Sequence, residues 1–241
     1  MKRVLAVLVA ALALPASVSG GTPITVFAAA SLTEVLPRID KSPRYSFAGS
    51  DQLAIQIQQG APADVFAAAS PKQPELLFRA GLVRKPVVFA TNRLIVLVPR
   101  SNPAHIQSVY DLRREGVKIV IGDRTVPIGT YTRQVLDALG ITAEVTRNVV
   151  SKETDVKGIV TKVAVGEADA GFVYRTDAKP VASRTDSVAL PAWAQPAIRY
   201  EVAVVKASSR PQAAAAFVKT LRSKQGRLFL KQAGFGLPRL P

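Results

Sequence analysis

Six short apolar runs, at residues 24–29, 65–69, 94–98, 118–121, 170–174 and 202–205, alternate along the chain with longer stretches of helical periodicity at 32–39, 52–59, 71–80, 131–139, 156–165 and 211–221. Runs too short for helices, rich in Val, Ile and Phe and spaced by helices, build βαβ units around a mostly parallel sheet. Gly60, Gly81, Gly140 and Gly166 fall where helices should stop. Pro99 and Asn102-Pro103 follow one run, and Pro191 with Gln195-Pro196 precedes another. These breaks are the candidate crossings between two lobes. The expected division is a discontinuous first lobe, 22–98 plus 201–241, and a second lobe at 99–200. A chain of 241 residues is long enough to give each lobe a core.

Met1-Lys2-Arg3, an apolar run at 4–14 and small residues up to Gly21 have the pattern of an export leader. The run is too short for the ~20 residues a membrane-spanning helix needs. Residues 1–20 are therefore expected to be a cleaved signal peptide, and the mature protein to be soluble and periplasmic. There is no cysteine, so disulfides, thiolate metal sites and cysteine nucleophiles are excluded. The one histidine, His105, is expected on a surface loop, and a histidine-rich metal site is excluded with it. The formal net charge is +15, and after residue 200 eight basic residues face one acidic residue. That tail is expected to be a solvated helical face, not a nucleic-acid surface.

A hexapeptide recurs, as Val26-Phe27-Ala28-Ala29-Ala30-Ser31 and Val65-Phe66-Ala67-Ala68-Ala69-Ser70. Each copy reads as a strand end turning into a helix N-terminus. Ser31 is followed by Glu34, which predicts a capping box. Ser70 is followed by Pro71, which removes one N–H donor. Small or hydroxyl residues also mark turns at Gly49-Ser50-Asp51, Val126 to Thr130, Thr154-Asp155-Val156 and Phe172-Val173-Tyr174. Helix N-termini present unpaired N–H groups, so several converging would receive an anion. Walker A, Gly-x-Gly-x-x-Gly and Gly-x-Ser-x-Gly sequences are all missing, which leaves nucleotide and serine-elbow chemistry without support. Asp64 is expected to orient a turn, Trp193 to pack at a crossing, and Arg175 to point away from Tyr174's face.

The opening at residues 24–33, Gly49-Ser50, and Gly60-Ala61-Pro62-Ala63-Asp64-Val65-Phe66 resemble successive signatures of the periplasmic molybdate-binding proteins of ABC importers. Gly122-Asp123 through Gly129, Asp155 to Gly158, Phe172 to Tyr174 with Asp177-Ala178, Tyr200 to Val205 and Ala233-Gly234-Phe235 continue the resemblance in order. It implies an α/β fold of the type II periplasmic binding protein class, with mixed, mostly parallel sheets and a hinge crossed twice. It also implies a receptor that is not an enzyme, needs no cofactor, acts as a monomer and hands molybdate or tungstate to a membrane permease. The implied oxyanion contacts are the hydroxyls of Ser31, Ser50 and Tyr174 and the backbone amides of Ile128 and Val156. The metal would be reached only through the oxyanion's oxygens. Asp51 is expected to face outward, since a carboxylate in the cleft would accept a proton and favour phosphate-like ligands. A sulfate or phosphate receptor, a secreted hydrolase using Ser31 or Ser50 with His105, and a polyanion-binding surface protein are the rival readings.

Overall fold

In the computed structural model, which describes residues 22–238, β1 (Thr25–Ala29) lies parallel to both β2 (Arg44–Ala48) and β3 (Val65–Ala68). The edge strand β4 (Val87–Asn92) ends the first pass through this lobe, and only Arg93 separates it from β5 (Leu94–Pro99) in the other sheet. The second lobe adds β6 (Ile119–Gly122), β7 (Val149–Glu153), β8 (Ala170–Tyr174) and β9 (Thr185–Ala189). The chain then returns as β10 (Ile198–Val204), inserted between β3 and β4. The sheet orders are β2-β1-β3-β10-β4 and β7-β6-β8-β5-β9. Both sheets are mixed, and every antiparallel pair involves a strand that leads into or out of a crossing.

The expected lobe boundaries shift accordingly. The run at 94–98, assigned to the first lobe, pairs with β8 and β9 and is an interior strand of the second sheet. Residues 198–200, assigned to the second lobe, begin β10 in the first. Pro99 and Asn102-Pro103 end a strand and do not mark the crossing, which lies at 92–94, with the return at 189–198. The expected signal peptide lies outside the described residues.

Burial explains the layering. Every residue of β3, β6 and β8 is buried, as strands covered on both faces require. Helix Pro127–Leu139 stops where expected, at Gly140, whose φ of 68° only glycine adopts without cost. Helices Pro211–Arg222 and Lys224–Ala233 bury Phe217, Leu221 and Leu230 and leave Lys219, Lys224 and Lys231 exposed, a solvated basic face. Asp64 does more than orient a turn. Its buried carboxylate accepts from Thr25 N (2.7 Å), Ser208 Oγ (2.6 Å) and Arg210 Nη2 (2.9 Å), tying β1 to the segment after β10.

The two crossings are clasped together. Gln195 Oε1 accepts from Leu94 N at 3.0 Å and its Nε2 donates to Leu94 O at 2.8 Å, so one side chain pairs with backbone as a strand would. Trp193 takes no part in this packing: it is 67% exposed, turned outward by the short 3-10 turn Ala192–Ala194 that buries Ala194 instead. His105 is exposed, as expected, on the loop after β5.

Candidate oxyanion site

Ser31 and Ser50 from the first lobe and Ile128, Val156 and Tyr174 from the second all line one cavity between the lobes. It lies at the carboxyl ends of β1, β3 and β8, where α/β sheets place ligands. The alanines of the two hexapeptides help to line it, and their small side chains let backbone approach an occupant closely. The space is small, a cavity of about 20 Å³. Organic ligands occupy pockets of ~300–1,000 Å³, so this arrangement suits an occupant of a few atoms.

Each donor is set up by its own element. Ser50 opens helix Ser50–Gln58, whose N-cap, Gly49, has no side chain to satisfy the first N–H groups. Ser50 Oγ accepts from Ala69 N at 3.1 Å, which leaves its proton free to donate. Ile128 is the second residue of helix Pro127–Leu139. Pro127 has no N–H and the N-cap Val126 offers no side-chain acceptor, so the Ile128 N–H is open. The bulk of Ile128 is accommodated by Gly122, where a Cβ would stand 2.6 Å from Ile128 Cγ2. At helix Val156–Ala164, Asp155 Oδ1 takes the N–H groups of Lys157 (2.7 Å) and Gly158 (3.2 Å). That N-cap carboxylate spares the Val156 N–H.

Tyr174 closes β8 with its hydroxyl buried and without a partner among the described residues. Burial, reinforced by the neighbouring Tyr200, pushes its phenol well above the usual value, so it stays a protonated donor. Its ring is held edge-on by Tyr131 (centroids 6.5 Å apart) and by Tyr200 across the lobes (5.7 Å). Ser31 departs from its expected local role. Ala30–Leu32 is a 3-10 turn without a side-chain cap, and Glu34 pairs with Lys157 of the other lobe at 3.5 Å. Ser31 Oγ instead meets Tyr200 Oη at 2.9 Å. A partner 169 residues away leaves no local trace in the sequence, whereas the Asp155 cap is a pattern that sequence reasoning could have used.

Among the described residues, no lysine or arginine lines the cavity. Asp51 does not line it either: its Oδ2 accepts from Thr125 Oγ1 across the cleft at 2.8 Å, so the carboxylate faces the opposite lobe and not the occupant. Arg175 also avoids the cavity, but its Nη2 reaches Gly234 O of the first lobe at 2.7 Å. Between the lobes, a Cβ on Gly49 would lie 2.5 Å from Thr154 O.

Beside the cleft, Lys157 Nζ lies 3.6 Å from the buried Asp177 carboxylate. Burial raises the Asp177 pKa to about 7, against the lowering pull of Lys157. An acid held more protonated in the folded state adds stability that is complete near its ordinary value of 3.8 and lost as pH climbs to about 7. The melting temperature is therefore expected to carry a downward component across that window. Asp177→Asn should flatten it and match or exceed wild type at pH 8; an unchanged pH profile in thermal melts would refute this.

Two lobes clasped at adjacent crossings, with neutral donors from both gathered around one small cavity, define a solute receptor with the type II periplasmic binding protein fold. The chain belongs to the bacterial extracellular solute-binding protein family, which it matches over residues 24–236. It is 39% identical over 229 residues to the molybdate-binding protein ModA of Mycobacterium tuberculosis, covering 91% of this chain and 86% of that protein. It is 32% identical over 238 residues to ModA of Haemophilus influenzae, covering 91% and 92%. The periplasmic molybdate-binding protein of Azotobacter vinelandii superposes with a TM-score of 0.80 at 24% identity, over 90% of this chain and all of that one. No helix among the described residues is long and apolar enough to cross a membrane.

Proposed function

We propose that this protein captures molybdate or tungstate between its lobes and delivers it to an ABC import permease. The observation that carries the reading is the convergence of five uncharged donor positions, Ser31, Ser50, Ile128, Val156 and Tyr174, on a cavity of single-ion size. Three hydroxyls and two backbone N–H groups offer protons and demand none, which matches a fully deprotonated dianion. The molybdenum atom is reached only through its oxygens. Relatives named as molybdate-binding proteins over most of the chain support the same ligand. The protein acts in the periplasm as a monomer, after removal of residues 1–20, and has no role with nucleic acid.

The energetics fit. Hydrogen bonds to a charged partner contribute ~1.5–3 kcal/mol each, so five give roughly 8–15 kcal/mol gross before the cost of ordering. Preorganised helix N-termini hold that cost near its lower bound of ~4 kcal/mol, which leaves roughly 4–11 kcal/mol, an affinity between the millimolar and the ten-nanomolar range. Neutral donors also hold the ion without the deep trap that a buried lysine or arginine would create.

Isothermal calorimetry across molybdate, tungstate, sulfate and phosphate tests the reading. Molybdate and tungstate are expected to bind alike and at least about tenfold more tightly than sulfate, with phosphate weakest because its proton faces a lining of donors whose one carboxylate, Asp155, is engaged through Oδ1 by the N–H groups of Lys157 and Gly158. Phosphate bound more tightly than molybdate would overturn the assignment. So would binding that falls steeply with salt and survives Ser31→Ala, the signature of a polyanion surface.

A further inference from the structure

We infer that Tyr200 and Asn92, neither of which lines the cavity, fix the direction of the Ser31 hydroxyl and so set that position against a protonated oxyanion oxygen. The inference rests on the oxyanion reading above and concerns which residues give it selectivity.

Counting protons carries the argument. Asn92 ends β4 beside the crossing, and its Oδ1 accepts from Arg93 N at 2.9 Å, which orients the amide. Its Nδ2 then faces Thr176 Oγ1 of the other lobe (3.0 Å) and Tyr200 Oη (3.4 Å). An amide nitrogen only donates, so Tyr200 Oη is an acceptor on that side. Tyr200 is fully buried, and burial keeps its phenol protonated. Among the described residues its single proton has one acceptor in reach, Ser31 Oγ at 2.9 Å. Were Ser31 to donate instead, the phenolic proton would be buried with no acceptor, the costlier arrangement.

The relay therefore runs Asn92 → Tyr200 → Ser31 → occupant, and the Ser31 proton points at the cavity. A dianion without protons receives it. A P–OH of hydrogen phosphate placed at Ser31 would need that hydroxyl to accept, leaving the Ser31 proton or the Tyr200 proton without its partner. Tyr200 and Asn92 are thus positioning residues that act through Ser31.

Asn92→Asp reverses the relay with little change of shape. The introduced carboxylate still accepts from Arg93 N and takes a proton from Thr176 Oγ1. It also accepts from Tyr200, which then accepts from Ser31, turning a Ser31 lone pair toward the cavity. In calorimetry in mildly alkaline buffer, where phosphate is the monoprotonated dianion, the molybdate-over-phosphate affinity ratio is expected to fall by on the order of a hundredfold, about tenfold lost by molybdate and about tenfold gained by phosphate. Added negative charge alone would weaken both dianions together and leave the ratio intact. In a Tyr200→Phe background, Asn92→Asp should leave the ratio where Tyr200→Phe alone puts it.

A second measurement does not depend on Asn92→Asp folding: Tyr200→Phe should lower molybdate affinity severalfold in the wild-type background and have no effect in a Ser31→Ala background. A wild type that binds no oxyanion overturns the functional reading itself. A selective wild type whose ratio survives Asn92→Asp, or a Tyr200→Phe effect that persists without the Ser31 hydroxyl, overturns the relay alone.

Discussion

Gly49→Ala is expected to weaken ligand binding ten- to a hundredfold while moving the melting temperature of the unliganded protein by only a few degrees. The added Cβ would lie 2.5 Å from Thr154 O and 2.8 Å from Asp51 Oδ1. The first contact is with backbone of the opposite lobe, which cannot swing aside as a side-chain end can. Relieving it means parting the lobes and drawing Ile128 and Val156 away from Ser31 and Ser50. Overpacking of this kind costs about 1–3 kcal/mol, and all of it falls on the closed arrangement. Gly49 has a φ of −58°, so alanine meets no backbone strain there. Its N-cap role costs the lobe itself no more than about 1 kcal/mol, a few degrees in a protein of this size. Ligand affinity and free-protein stability are thereby separated, because only the bound state requires the close approach. Calorimetry with molybdate beside a thermal melt measures both, and full affinity in the variant would show that the Gly49–Thr154 contact does not limit closure.

The strands divide sharply by how legible they are. The six apolar runs correspond to β1, β3, β5, β6, β8 and β10, which are the interior strands of the two sheets. The four strands outside those runs, β2, β4, β7 and β9, are the four edges, and of these only β4 carries an unbroken apolar stretch, at residues 87–90. An interior strand is covered on both faces and reads as continuous apolar sequence, whereas β7 alternates half-buried with exposed residues, and β9 carries Asp186 and Ser187 into solvent. The same physics explains the misplaced boundary: an apolar run such as 94–98 announces an interior strand but not the sheet it belongs to.

The site divides along a similar line. Helix N-termini rich in small residues are local patterns, so Ser50, Ile128 and Val156 stand out in the sequence. The contacts that join the lobes, Asp51 with Thr125 and Glu34 with Lys157, and the contact of Ser31 with Tyr200 inside the first lobe link residues from 74 to 169 positions apart and have no local signature. The Ser-x-x-Glu pattern at Ser31 shows how a local rule yields: Tyr200 and Lys157 offer the serine and the glutamate tertiary partners, and both leave the cap for them.

Tyr174→Phe should lower molybdate affinity by about 1.5–3 kcal/mol, ten- to a hundredfold or more, the worth of one hydrogen bond to a charged partner. The free protein should be no less stable than wild type. These opposite signs have one cause. The Tyr174 hydroxyl is buried with no partner among the described residues, so removing it breaks no bond within the protein and lifts the cost of a buried polar group. The ring, held edge-on between Tyr131 and Tyr200, keeps its packing in the phenylalanine variant. Burial raises the phenol of Tyr174 well above its ordinary value, so the wild-type donor keeps its proton through the mildly alkaline range and its contribution there should not vary with pH. A thermal melt without ligand and a calorimetric titration with molybdate decide the matter together. An unchanged dissociation constant would remove Tyr174 from the set of donors. A large loss of stability in the free variant would mean that the hydroxyl serves the fold, and then the gathering of uncharged donors from both lobes would lose its one phenol.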